Sequence, residues 1–315
     1  MLTVLAAAAG MTSAHSQIFE ANYGNGTIGE YDATTGAQLQ AALVSGLTNP
    51  TGLAFAGNNL VVANYNGAGG SNTGSIDEFT TAGQAVAGFT AITNLSQPNS
   101  VSVSGNDLFV ATLGSGNPGK IGEYNATTGA AINASLITGL SNPYQVVASG
   151  NNLFVLTGGS SGQINEYTLS GSTVGSPTTL VSNLSFPSAL TISGGDLYVA
   201  TYASNGTIKE YTTSGTLVSG FSVTGFDSAF ASPGGLTVSG NDLYVTNASV
   251  TGSISEFNAT TGAAIGTNPL VSGLSTPEGI VVAAVPEPTS AALIFAGFAA
   301  LLGYTVRKTR YSNGV

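Results

Sequence analysis

Two sets of residues carry most of the chemical reach in this chain. The first follows a proline: Thr51, Asn99, Tyr144, Ser188, Gly234 and Glu278 come directly after Pro50, Pro98, Pro143, Pro187, Pro233 and Pro277. The second closes the segment after each of these: Asn22, Tyr23, Asn64, Tyr65, Tyr202 and Asn247. Tyr offers a flat ring to the C–H face of a sugar, and Asn offers an amide to its hydroxyls, so together they suit carbohydrate recognition. A third set is the most regular. Glu30, Glu78, Glu123, Glu166, Glu210 and Glu256 each sit in Gly-x-Ile-x-Glu followed by Tyr or Phe. In an extended segment the Ile and Glu share one face. These carboxylates read as structural, each accepting hydrogen bonds from backbone or Thr/Ser of the neighbouring repeat, because a buried carboxylate needs such partners.

Composition removes much of the usual catalytic repertoire. Cysteine is absent, and the single histidine is His15, close to the N-terminus. The rest of the chain therefore lacks the commonest general base, the commonest metal ligand and the best nucleophile. Charged residues make up 6% of the chain, against roughly 25% in ordinary soluble proteins. The surface must be built from Thr, Ser, Asn and Gly. Between Gln17 and Ala284 the bases are Lys120 and Lys209, against fourteen acids. Phosphate backbones need Lys and Arg to displace counterions, so nucleic acid is excluded as a partner.

The elements that must position these residues follow from the repeat. Glu-to-Glu steps of 48, 45, 43, 44 and 46 residues match the period of propeller blades or helical arrays. Val, Ile, Thr, Tyr and Phe dominate, with Gly and Asn punctuation and no helical spacing, which selects strands. Each unit holds four: one after the proline, one after a Gly-Asn or Gly-Gly turn, the Gly-x-Ile-x-Glu strand, and one that follows Thr-Gly or Ser-Gly and ends in Gly-Leu before the next proline. Asp107, Asp196 and Asp242 follow such turns and read as turn residues. The fold expected is all-β, a six-bladed β-propeller of four-stranded antiparallel blades over 17–284. The chain enters at Gln17–Asn22 as a second strand and leaves at Thr276–Val282 as a first strand. One C-terminal strand therefore joins three N-terminal ones and removes an open sheet edge.

The repeat Pro-x-Gly-Leu-x-Val, Leu-Tyr-Val-Ala-Thr, Gly-x-Ile-x-Glu-Tyr resembles the NHL and SMP-30/streptogramin-lyase group of six-bladed propellers. That resemblance implies a divalent cation on the axis, with Glu278 and Asn99 at two ligand positions. The other first-strand positions offer Thr51, Tyr144, Ser188 and Gly234, so the expected acidic partner is missing. A hard cation prefers several oxygens. No metal, no other cofactor and no catalytic residue is expected.

The two ends address the protein. Residues 1–16 form an apolar stretch with Ala14 and Ser16 at −3 and −1 before Gln17, the pattern of a secretory leader lacking its basic n-region. At the other end, Pro286-Glu287-Pro288 precedes an uncharged run over 289–306, then Arg307, Lys308 and Arg310. As a helix the run is about 27 Å long, the thickness of a bilayer core. Residues 285–315 resemble the PEP-CTERM sorting signal. The resemblance implies a C-terminal transmembrane helix, an exosortase as partner and transient or stable inner-membrane anchoring. It also implies delivery to the surface or matrix of a Gram-negative-type bacterium. The function expected is non-enzymatic: a scaffold or binding module for polysaccharide or another surface protein. The rival is a metal-dependent lactonase or lyase using Glu278 and Asn99.

Overall fold

The computed structural model describes residues 16–66, 73–202, 206–224 and 232–283. The leader through residue 15, the sorting motif Pro286-Glu287-Pro288, the run 289–306 and the cluster Arg307, Lys308 and Arg310 lie outside the described residues. Among the described residues no helix is long and apolar enough to cross a membrane.

The strands form six four-stranded antiparallel sheets. The chain begins with β1 (Gln17–Asn22), β2 (Thr27–Asp32) and β3 (Gln38–Val44). The first complete blade is β4 (Pro50–Ala56), β5 (Asn59–Asn64), β6 (Thr73–Thr80) and β7 (Ile92–Ser96). The second is β8 (Pro98–Ser104), β9 (Asp107–Thr112), β10 (Gly119–Asn125) and β11 (Ala131–Leu140). The third is β12 (Pro143–Ser149), β13 (Asn152–Thr157), β14 (Gly162–Thr168) and β15 (Thr178–Leu184). The fourth is β16 (Pro187–Ser193), β17 (Asp196–Thr201), β18 (Thr207–Thr212) and β19 (Val223–Thr224). The fifth is β20 (Pro233–Ser239), β21 (Asp242–Asn247), β22 (Gly252–Asn258) and β23 (Val271–Leu274). The last strand, β24 (Pro277–Ala283), pairs with β1 and completes the closing blade in the order β24-β1-β2-β3. Its register sets Ile280 opposite Glu20, Val281 opposite Phe19 and Val282 opposite Ile18. The expected closure is present.

Each seam between blades has its own apolar core, fed chiefly by second and third strands with one or two first-strand residues. The seam between the first and second blades packs Val61, Ala63, Ile76, Val101, Leu108 and Val110. The seam between the closing and first blades packs Phe19, Ala21, Ile28, Leu53, Leu60 and Val62. Phe19, Phe109 and Phe154 are fully enclosed, and burying each contributes about 1.5–3 kcal/mol. Hairpins between first and second strands turn on a glycine: Gly105 has φ of 60°, a value side-chain-bearing residues rarely adopt and a II′ turn requires.

At the axis the inner strands approach backbone to backbone, which requires small residues. A Cβ on Gly52 would lie 2.9 Å from the Ser100 Cα of the next inner strand, and one on Gly279 would overlap the Thr51 carbonyl. Side chains then staple neighbouring inner strands. Thr51 Oγ1 donates to the Pro98 carbonyl at 3.2 Å, and Asn99 Nδ2 to that of Tyr144 at 2.8 Å. The Leu190 N–H donates to Gln145 Oε1 at 2.9 Å, and Thr246 Oγ1 donates to the Glu278 carbonyl at 2.7 Å.

The repeated carboxylates differ from expectation in their partners. Glu30, Glu78, Glu123, Glu210 and Glu256 are buried. Their hydrogen bonds come chiefly from side chains of the second strand of their own blade. Gln17 Nε2 donates to Glu30 at 2.7 Å, Asn59 Nδ2 to Glu78 at 3.0 Å, and the Tyr198 hydroxyl to Glu210 at 3.0 Å. The register explains this. Glu30 lies across from Phe19 and Glu210 across from Tyr198, so the nearest donors lie on the adjacent strand rather than across the seam.

Candidate functional site

Six inner strands enclose a cavity of about 450 Å³ on the axis, within the roughly 300–1,000 Å³ of small-molecule sites. Leu53, Val101, Val146, Leu190, Leu236 and Ile280 border it from the inner strands, but their side chains belong to the six seam cores. Its chemistry is gathered at the end where the inner strands begin.

Two local devices build that mouth. The first is a break in register at the start of every inner strand. In β4 the pairing with β5 jumps from Pro50–Asn64 to Leu53–Val62, and in β24 the pairing with β1 jumps from Pro277–Asn22 to Ile280–Glu20. The same shift occurs after Pro98, Pro143, Pro187 and Pro233. A bulge leaves a residue unpaired and re-aims its side chain. In all six blades the residue after proline falls in the bulge and lines the cavity: Thr51, Asn99, Tyr144, Ser188, Gly234 and Glu278.

The second device is a repeated backbone hydrogen bond. The residue after each second strand donates its N–H to the carbonyl just before the proline. Tyr65 reaches Asn49 at 3.0 Å, Tyr202 reaches Phe186 at 3.0 Å, and Tyr23 reaches Thr276 at 3.1 Å. Leu113, Gly158 and Ala248 make the equivalent bonds. The accepting residues Asn49, Gln97, Asn142, Phe186 and Thr276 all have φ between 47° and 55°. Asn tolerates this left-handed region, whereas Gln, Phe and Thr hold it at a cost of order 1–2 kcal/mol.

These devices bring Tyr23, Tyr65, Tyr144 and Tyr202 to one mouth, together with Glu278. The Tyr23 and Tyr65 rings meet edge to face, with centroids 6.3 Å apart. The third blade supplies its ring differently. Gly158 occupies the place of Tyr65 or Tyr202, and the Tyr144 ring from the inner strand lies so close that a methyl group on Gly158 would overlap it. The fifth blade supplies only small residues, Gly234 and Ala248. A Cβ on Gly234 would lie 3.0 Å from Glu278 Oε2 and 3.1 Å from the Ala248 methyl. That space belongs to the Glu278 carboxyl.

Electrostatics mark the same cluster. Water can touch Glu278, but protein surrounds it, and burial pushes its carboxyl up to about 7. Among the described residues no hydrogen bond or cation compensates it. The Tyr202 hydroxyl is pushed up to about 12, first by burial and then by the Glu278 charge. Tyr23 is raised by burial and by the same charge, and Tyr65 by burial and by its neighbours Tyr23 and Tyr144. No Lys, Arg or His is among the described lining residues, and Glu278 is the single carboxylate there.

Three of the sequence-derived candidates lie away from the cavity. Asn22 donates through Nδ2 to Glu20 at 2.7 Å and accepts from the Ser275 N–H at 3.0 Å. Asn64 donates to Asp77 at 2.8 Å, and Asn247 accepts from the Ser232 N–H at 3.4 Å. Each precedes the residue that turns inward, so strand alternation sends it to the opposite face. Asn99 lines the cavity with its amide nitrogen held by Tyr144. A divalent cation does not fit this donor set: one carboxylate faces phenols and neutral groups, and a hard ion demands several oxygens.

One residue of consequence was not singled out in the sequence. Glu20 is fully buried, with Oε1 lacking any hydrogen-bond partner. The corresponding positions in the other blades are Val62, Val110, Val155, Val199 and Val245. Burial raises its carboxyl well above the ordinary range, against a lowering hydrogen bond from Asn22. Aligning the repeats would have exposed it.

No protein family and no curated protein matches the sequence. Solved structures do resemble the fold. A "putative 6-phosphogluconolactonase" from Bacteroides uniformis is similar at 12% identity, with a TM-score of 0.61, over 86% of this chain and 100% of that one. A protein of unknown function from Bacteroides caccae is similar at 14% identity, with a TM-score of 0.57, over 87% and 100%. Apo AztD from Citrobacter koseri is similar at 12% identity, with a TM-score of 0.52, over 85% and 98%. At these identities the likeness is one of β-propeller fold.

Proposed function

We propose that this protein is an exported, non-catalytic binding propeller, sorted through its Pro286-Glu287-Pro288 segment by an exosortase and displayed at the surface or in the exopolysaccharide matrix. The observation that carries the binding role is the axial cavity, whose mouth gathers four tyrosines and one carboxylate from four blades. The sorting role rests on the order of motif, apolar run and basic cluster in residues 285–310. Rings, an amide oxygen and hydroxyls on rigid strands recognise a ligand without activating one. Among the described residues, no nucleophile in the mouth is hydrogen-bonded to a base.

The test of the binding role is Tyr202→Ala. It should abolish retention of whatever ligand the full chain captures and leave the unfolding midpoint nearly unchanged. Retention unaffected by this substitution places binding elsewhere. The lactonase reading is favoured by the name of the similar Bacteroides uniformis structure. A phosphorylated sugar lactone would bring negative charge to a mouth that holds a carboxyl and no described cation, whereas phosphate recognition uses Arg and Lys. Hydrolysis of 6-phosphogluconolactone by the purified chain should equal the uncatalysed rate, and turnover above it would reinstate the rival.

A further inference from the structure

We propose that the mouth of the axial cavity is a cage for a small organic cation, a quaternary or alkylated ammonium group of the choline type. The proposal rests on the axial-site reading and names the ligand class for that site. Tyr23, Tyr65, Tyr144 and Tyr202 come from the closing, first, third and fourth blades and converge on one mouth. Faces of aromatic rings attract cations through their quadrupole, most strongly when water is excluded. Edge-to-face packing of Tyr23 on Tyr65 sets two rings at 61° to one another, forming a corner rather than a flat stacking platform.

The remaining side of the ring holds the charge. Glu278 fills the space left by Gly234 and Ala248, and its field reaches Tyr202 and Tyr23 on either side. A buried carboxylate lacking a cationic partner is costly. A ligand cation would supply that partner, and the rings would take the place of its hydration. The mouth discriminates among ligands by charge. No described lining residue carries positive charge, so a zwitterion or anion leaves its own negative group unpaired beside Glu278. A simple monocation is therefore preferred over a betaine or a phosphorylated sugar. Sugar hydroxyls remain compatible with Asn99, but they leave Glu278 without a counter-charge.

The proposal implies coupling between binding and proton release. The described groups beside Glu278 are Tyr23 and Tyr202 with the uncharged Gly234 and Ala248, and burial and the Glu278 charge raise both phenols above their ordinary value. Among the described lining residues, Glu278 is thus the group whose ionisation shifts affinity near pH 7. Cation affinity should rise as pH climbs through about 7, because the free carboxyl is then already ionised.

The experiment is calorimetric titration of the full chain with choline, and with 3,3-dimethyl-1-butanol as the uncharged isostere, at about pH 8 and about pH 5.5. Choline should bind at least about tenfold tighter than the isostere, and about tenfold more weakly at the lower pH. Glu278→Gln should remove that preference. Tyr65→Phe should retain choline, because a Phe face also attracts cations, while Tyr65→Leu should lose it. Phosphatidylcholine vesicles, whose zwitterionic headgroup carries a phosphate, should not compete with free choline, and competition by them would overturn the preference for a simple monocation. Equal affinity for choline and its isostere, or no choline heat up to about 10 mM, overturns the proposal. Cellotriose or maltotriose binding that is lost in Tyr202→Ala would then keep the axial site with a neutral ligand. No binding by any of these probes would end both readings.

Discussion

The outer carboxylates and the axial carboxylate are both Glu on β-strands, and they do opposite things. The Gly-x-Ile-x-Glu residues recur in every blade; five of the six are buried, and Glu30, Glu78 and Glu210 receive hydrogen bonds from Gln17, Asn59 and Tyr198 on the neighbouring strand. Glu278 occurs once, beside Tyr23 of its own blade and rings from other blades, and no described group compensates it. Repetition builds the sheet, and departure from repetition builds the site. Six equivalent positions after proline carry six different residues, and the two that dominate the mouth, Tyr144 and Glu278, are the two largest departures. The same rule isolates Glu20, the one blade in which a seam Val is replaced by a carboxylate.

The most severe way to break the comparison is to open the ring. Removing residues 275–284 takes away β24, exposes β1 as an edge and dismantles mouth and seam together. Urea unfolding followed by circular dichroism should change from one steep transition to a shallow one, with loss of most of the stability. A steep transition retained would show that the closing blade is stable on three strands.

A change confined to the mouth should separate site from scaffold. Gly158→Val drives a side chain into the Tyr144 ring and should lower stability by about 1–3 kcal/mol through overpacking. Ligand retention should fall far more than that loss explains. Binding that survives would remove Tyr144 from the site.

Glu20 offers a test with the opposite sign. Glu20→Val combined with Asn22→Thr recreates the Val110-Ala111-Thr112 arrangement of the second blade. Replacing a buried, half-satisfied carboxyl by a shape-matched apolar group should stabilise the chain by about 1–3 kcal/mol. A lower unfolding midpoint would mean that Glu20 has a partner worth keeping.

Removing one outer contact should have the smallest mutational effect. Tyr198 bonds both Glu210 and the Ala259 carbonyl, and Tyr198→Phe should cost about 1–2 kcal/mol with binding unchanged. The pH dependence then distinguishes the two carboxylate classes. Glu278 has a folded value of about 7 against 4.5 for the free side chain. Its contribution to stability is complete below the lower value and is lost as pH rises through the higher one. Stability should therefore decline between about pH 4.5 and 7.5, and Glu278→Gln should flatten the upper part of that decline. Burial also raises Glu30, Glu78, Glu123, Glu210 and Glu256, and their decline should survive in the variant. A slope unchanged by Glu278→Gln would place its titration elsewhere.

Blade number, strand order and closure were legible in the sequence because they depend on local signals. Proline, Gly-Asn turns and period-two alternation recur six times, and the half-repeats at Gln17 and Thr276 dictate how the ends join. Tyr23, Tyr65, Asn99, Tyr144, Tyr202 and Glu278 were legible as axial positions for the same reason. Asn22, Asn64 and Asn247 were assigned to the wrong face, because alternation near a strand end depends on where the strand stops. The donors to the repeated Glu residues were missed because cross-strand register, not the motif, selects them.

The sequence alone determined a closed ring of six blades with a polar, nearly uncharged surface, since each repeat carries its own turn and strand chemistry. Tertiary structure decided which side chains meet. Bulges after each proline aim one residue per blade at the axis, and the voids over Gly158 and Gly234 admit the Tyr144 ring and the Glu278 carboxyl. The Gly234–Glu278 contact and the Tyr23–Tyr65 contact each join residues of neighbouring blades. Only packing the inner strands around one axis fixes their geometry, because no local spacing rule spans two blades.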